Sequence, residues 1–194
     1  MLLSEIAPEA LPFVTLPGAF SAQELDEIER IGDGLVTGKA TLAGMAETAE
    51  IDSIRICETA WLQPAAETQW LYTRMSEIVQ SLNAQFYQFA LTGFSDPFQY
   101  TVYSAAKRSH YGWHTDHGAK SDTPRKLSLL LLLSDPVRYE GCDVQTRVGI
   151  DDCPTSRERG TVIAFPAYVQ NRVTPITAGT AKSLVAWAAG PRFK

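Results

Sequence analysis

The sequence predicts an α+β fold, with helices first and strands after. Two stretches with helical periodicity lie before about residue 97, and four runs of strand-forming residues follow it. The third observation is the run Leu129 to Leu133. It has no polar alternation, as expected of a strand covered on both faces. Helices that precede a block of strands suggest helices covering one face of a β-sandwich or barrel. The expected organisation is one domain over residues 1–194, helical over about 1–95 and β over about 96–194.

Each element has a local reason. In SAQELDEIERIGDG, residues 21–34, Ser21 and Glu24 have the spacing of a capping box. Leu25, Ile28 and Ile31 share a face, and Gly32 is expected to end the helix. Residues 36–50 are small and polar and read as a mobile loop. In ETQWLYTRMSEIVQSLN, residues 67–83, Leu71, Met75, Ile78 and Leu82 fall on one helical stripe. FQYTVYS, KLSLLLLLSD, GTVIAFPAYV and KSLVAWAAG then read as strands, being aromatic, β-branched or continuously apolar. Asp135-Pro136, Glu140-Gly141 and Ala178-Gly179 read as the turns between them.

Composition narrows the function classes. Apolar residues make up 45% of the 194 and charged residues 20%, with a formal net charge of −5. No basic tract favours nucleic acid or an anionic membrane. No apolar run approaches the roughly 20 residues that span a bilayer. The segment MLLSEIAPEA lacks the basic region of a signal peptide. Cys57, Cys142 and Cys153 form no C-x-x-C pair, which suggests reduced thiols in a cytoplasm and no structural zinc.

The chemistry lies in YGWHTDHG, residues 111–118. On a strand, residues two apart point to the same face, so His114 and Asp116 would stand side by side. One imidazole and one carboxylate are two parts of the facial triad that holds non-haem iron. The two other histidines, His110 and His117, remain open as neighbours of the same point or as a wall residue and a loop residue respectively. Lys107, Arg108, Arg125, Lys126, Arg147 and Arg172 are basic residues that could hold an anion, or surface charges.

The segments FQYTVYSAAKRSHYGWHTD, PRKLSLLLLLSDPVRYEGCDVQ and GTVIAFPAYVQNRVTPITAGTAKSLVAWAAGP together resemble the bacterial prolyl/lysyl-hydroxylase (PKHD-type) group of the 2-oxoglutarate/Fe(II) oxygenase superfamily. The resemblance covers nearly the whole chain. It implies a double-stranded β-helix, or jelly roll, with N-terminal supporting helices, and Fe(II) and 2-oxoglutarate as cofactors. It assigns His114 and Asp116 to the first two iron ligands. Tyr111 matches the aromatic position before them, and Tyr103 a tyrosine that can line the co-substrate pocket. It also implies an oxidoreductase acting on a small molecule or a peptide side chain, with a homodimer left open.

The chain departs from this pattern at two functional positions. Asn171 stands where the third iron ligand should be a histidine, and Ala181 where an arginine should clamp the far carboxylate of 2-oxoglutarate. Lys182 is the adjacent cation, and only a bulge would turn it inward. Cys142 replaces a glycine. Asparagine ligates through a neutral oxygen, a weaker donor to Fe(II) than imidazole. The leading expectation is therefore an oxygenase-like, metal-dependent oxidoreductase with an atypical site formed by His114, Asp116 and Asn171, with Tyr103, Tyr111 and Lys182 about the co-substrate. The alternatives are a retired oxygenase fold that binds a ligand or partner, and a non-oxidative enzyme that reuses the pocket.

Overall fold

The computed structural model describes residues 13–40, 53–117, 123–148 and 151–192. In chain order the elements are β1 (Val14–Leu16), α1 (Ala22–Asp33), β2 (Gly38–Lys39), β3 (Arg55–Ile56), β4 (Glu58–Leu62), α2 (Gln69–Leu82), β5 (Gly93–Phe94), β6 (Phe98–Ser104), β7 (His110–His114), β8 (Arg125–Leu132), β9 (Tyr139–Gly141), β10 (Val144–Val148), β11 (Asp151–Pro154), β12 (Val162–Pro166), β13 (Gln170–Val173) and β14 (Ile176–Ala189). One antiparallel sheet runs β1-β12-β8-β14-β6-β4-β2, and the other β11-β10-β13-β7-β3.

Strand parity builds the molecule in layers. On the large sheet, Phe98, Tyr100, Leu127, Leu129, Leu131, Val162, Ala164, Leu184 and Ala186 join the apolar faces of the two helices in one core. The alternate positions Tyr103, Leu132, Ile163, Phe165 and Ala181 meet Val144 and Val173 of the small sheet in a second core. The large sheet is thus covered by helices on one face and by the small sheet on the other. This is the jelly-roll architecture with supporting helices, and it explains the leucine run. Leu129, Leu131 and Leu133 are fully buried towards the helices, while Leu130 and Leu132 face the second sheet.

The helices form where expected. The Ser21–Glu24 capping box is present in both directions, and Leu25, Ile28 and Ile31 are buried. Leu71, Met75, Ile78 and Leu82 are buried along α2. Gly32 does not end α1. The helix runs on to Asp33 and is capped at Gly34. Gly32 is instead a contact point, since a Cβ there would lie 2.5 Å from the Tyr100 ring.

Other expectations are also corrected. The first 95 residues are not only helical. β1 extends the large sheet beside β12, β4 pairs β6, and β3 pairs β7. Glu140-Gly141 and Ala178-Gly179 are not turns between strands but lie within the paired strands β9 and β14. Gly141 and Gly179 have positive φ, and a Cβ on either would strike a carbonyl oxygen across the ladder, of Pro175 and Arg138 respectively. The final strand starts earlier than its apolar run, at Ile176. The loop expected over 36–50 contains β2, and its part from 41 onward lies outside the described residues, as do residues 1–12. No helix among the described residues is long and apolar enough to cross a membrane.

Candidate metal and co-substrate site

β7 ends at His114, so Asp116 lies just beyond the strand rather than on it. Its side chain still reaches the same point. The Asp116 N–H donates to the Ala167 carbonyl oxygen at 2.9 Å, which ties it to the end of β12. His114 Nε2 and Asp116 Oδ1 are 3.3 Å apart, with side-chain exposures of 15% and 10%. The other carboxylate oxygen, Oδ2, accepts from Ser128 Oγ at 2.7 Å. Burial alone would raise the Asp116 pKa. The hydrogen bond and charge of His114, then the Ser128 hydroxyl and the Trp187 indole, hold it below the usual carboxylate range. The indole N–H acts at a distance, because it makes no hydrogen bond of ordinary length.

The imidazole is fixed on two sides. Its Nδ1 lies 2.8 Å from the Gly112 carbonyl oxygen. A carbonyl can only accept, so Nδ1 carries a hydrogen and Nε2 is the nitrogen that meets Asp116. The Tyr111 ring stacks on the imidazole at 3.5 Å between centroids and 9° between planes. Burial pushes the Tyr111 phenol up to about 12, so it is neutral under ordinary conditions.

Asn171 is the cross-strand partner of His114 in the β13–β7 ladder. It is 6% exposed, and its Nδ2 donates to the His114 carbonyl oxygen at 3.4 Å. Its Oδ1 receives no hydrogen bond among the described residues, so it can act as a donor to a cation. No third histidine, cysteine, aspartate or glutamate joins the pair among the described residues. His110 instead sets Nδ1 3.1 Å from the Arg108 carbonyl oxygen.

Tyr103 is buried opposite Ala181 on the β6–β14 ladder. Both line a cavity of about 20 Å³ with Leu130, Leu132, Cys142 and Val144. Lys182 does not replace the missing cation of this cavity. The register from Thr180 to Val185 is regular, so no bulge re-aims it. Its ammonium lies on the helix face, 2.7 Å from Asp33 and 3.4 Å from Glu29.

The donors present are an imidazole nitrogen, a carboxylate oxygen and an amide oxygen. They fit a divalent metal through two strong ligands and one weak one. The surroundings of Ala181 do not fit the far carboxylate of 2-oxoglutarate, because the one cationic residue among the described residues that line the cavity, Lys182, turns its ammonium away to Asp33 and Glu29. Ser128 and Trp187 had not been singled out from the sequence. Ser128 has a signal, as the polar residue that interrupts the leucines from Leu127 to Leu133.

No family model matches the chain. A PKHD-type hydroxylase of Prochlorococcus marinus is 30% identical over 83 residues, which are 43% of this chain and 38% of that protein. Among solved structures, a Pseudomonas putida prolyl-4-hydroxylase matches with a TM-score of 0.68 at 18% identity, covering 93% of this chain and 94% of the other. A prolyl hydroxylase from Trichoplax adhaerens, solved with a peptide fragment of hypoxia inducible factor, matches with a TM-score of 0.74 at 14% identity, covering 92% and 83%. The chain is thus similar in sequence, over less than half its length, to PKHD-type hydroxylases, and it shares the jelly-roll fold of solved prolyl hydroxylases and of a 2-oxoglutarate/Fe(II) oxygenase.

Proposed function

We propose that the chain is a metal-dependent oxidoreductase of the oxygenase type, with an altered co-substrate site, acting on a small molecule or a peptide side chain. The observation that carries this reading is the His114–Asp116 pair. Nε2 and the carboxylate oxygen lie 3.3 Å apart, an imidazole nitrogen and a carboxylate converging on one point. Two such groups are held together by a shared cation, either a proton or a metal ion. The open Oδ1 of Asn171 is the third donor.

Iron held by these residues would supply the redox centre for oxidation of a substrate by O2. The chain's own groups do the positioning. Ser128 and the Ala167 carbonyl fix Asp116, Gly112 and Tyr111 fix the imidazole, and burial limits the entry of water. Substrate class is supported by the neighbour solved with a peptide fragment, and the small size of the cavity leaves small molecules equally in play.

Ala181 and its apolar surroundings favour a second reading, a retired oxygenase fold that binds a ligand without redox chemistry. Titration calorimetry with Mn(II), on the natural protein and on His114→Ala, separates the two. The oxidoreductase reading expects one bound ion that the variant loses. A natural protein that binds no Mn(II) would leave only the second reading. Succinate formation from 2-oxoglutarate should be weak or absent in the natural protein. It should appear in Asn171→His combined with Ala181→Arg.

A further inference from the structure

The site as described makes no use of Arg55, on the two-residue strand β3. It is 7% exposed. Its Nε donates to Cys57 Sγ at 3.0 Å and its Nη2 to Gln99 Oε1 at 2.9 Å. Its guanidinium lies over the Tyr111 ring, 4.4 Å from the centroid. None of these partners is an anion. The Gln99 amide is neutral, the Tyr111 phenol stays protonated, and burial pushes the Cys57 thiol up. Among the described residues no carboxylate pairs with Arg55, and its Nη1 makes no hydrogen bond. A buried cation is normally paired, because its desolvation is otherwise uncompensated.

The inner faces of the two sheets hold further unanswered donors. Gln99, Thr101 and Tyr103 share the interior face of β6. Thr101 Oγ1 is buried without a hydrogen-bond partner, and so are Thr146 Oγ1 and Trp187 Nε1. Thr146 is the cross-strand partner of Asn171. Buried groups left unpaired are rare in folded proteins and call for a cause. Thr101 is on the same face of β6 as Gln99, the Arg55 partner, while Thr146 and Trp187 lie nearer the His114–Asp116 pair. A buried guanidinium with only neutral partners among the described residues, on an inner face that also carries unanswered hydroxyl donors, suits a ligand that only accepts. A carboxylate is such a ligand, and an arginine fork binds it through two bonds.

We propose that Arg55 anchors a small dicarboxylate inside the barrel, taking the part that position 181 lacks. Under the functional reading above, on which this identification rests, the ligand is a dicarboxylate that takes the place of the oxo-acid co-substrate. Its far carboxylate is then held from the small sheet instead of from β14. Tyr111 is the single ring between the anchor and His114, so the ligand would lie alongside it.

The test is titration calorimetry with glutarate and with 2-oxoglutarate, each on metal-free protein and again with Mn(II). Glutarate has both carboxylates but no oxo group, so its binding reports the anchor alone. The expected result is that the natural protein binds both acids. Arg55→Met should lose about tenfold to a hundredfold or more in affinity, the scale of a charge-assisted hydrogen bond. Arg55→Lys, which keeps the charge but not the fork, should fall between. Lys182→Met, on the helix face, should bind like the natural protein. Glutarate should raise the melting temperature of the natural protein and not that of Arg55→Met. If Arg55→Met does not fold, Arg55→Lys decides by the same criterion. Equal binding by natural protein and Arg55 variants, or no binding of either acid to the natural protein, overturns the proposal. Arg55-dependent glutarate binding in a protein that takes no Mn(II) upholds this anchor and refutes the oxidoreductase reading instead.

Discussion

Asn171 lies directly across the β7–β13 ladder from His114, with its side-chain nitrogen 3.4 Å from the His114 carbonyl oxygen. The ladder therefore delivers position 171 to the site whichever residue occupies it. Replacing the amide by imidazole exchanges a neutral oxygen donor for a stronger nitrogen one. Asn171→His is expected to tighten Mn(II) binding by about tenfold or more, a gain of ~1.4 kcal/mol. Competition against a fluorescent chelator measures it. Unchanged affinity would mean that position 171 does not face the ion.

Ser128 tests the environment of Asp116. The carboxylate has a folded-state pKa below its unfolded value. The stability it contributes is therefore present above the unfolded pKa, near 3.9, and is lost as pH falls through the lower folded value. Ser128→Ala leaves Oδ2 of a buried carboxylate without its donor, which costs about 1–3 kcal/mol at neutral pH. It also raises the folded pKa, so acid unfolding of the metal-free protein should begin at higher pH. Urea unfolding across a pH series reads both effects, and identical acid limbs for variant and natural protein would contradict the assignment.

The two faces of β8 should respond differently to truncation. Leu131 is fully buried between the large sheet and the helices. Leu131→Ala is expected to cost about 2–5 kcal/mol. Leu130 is only partly buried and lines the cavity, so Leu130→Ala should cost clearly less. Chemical denaturation midpoints give the comparison, and equal losses would count against the layered packing.

Gly32 offers a test in which two effects have opposite signs. In an exposed helix, Gly→Ala stabilises by roughly 1 kcal/mol. Here the added methyl meets the Tyr100 ring, and the Tyr100 hydroxyl is itself held by Asp33 at 2.8 Å. Overpacking costs about 1–3 kcal/mol and should outweigh the helical gain. Gly32→Ala is expected to lower the melting temperature; a rise would show that Tyr100 can move aside.

Much of this arrangement could be read from the residues. The capping box, the two helical stripes and the two-faced leucine strand all follow from periodicity, and they appear where that periodicity puts them. Fixed strand parity also foretold where Lys182 points, since the ammonium goes to the helix face unless a bulge intervenes, and none does. What was hidden depends on contacts between distant segments. Arg55 belongs to a strand of two residues, too short to carry any alternation, and its partner Gln99 is 44 positions away. Gly32 looked like a stop because only the fold reveals Tyr100 against it. Asp116 reaches His114 although its strand has ended, held by a backbone bond to Ala167 that no local pattern encodes.

The central claim is that His114 and Asp116 share a metal ion. The most direct measurement is a crystal grown with Mn(II), with diffraction collected above and below the manganese absorption edge. The account predicts an anomalous peak within bonding distance of His114 Nε2 and Asp116 Oδ1, with Asn171 Oδ1 turned towards it. A map with no peak there, and with the imidazole and carboxylate bonded directly to one another, would contradict it.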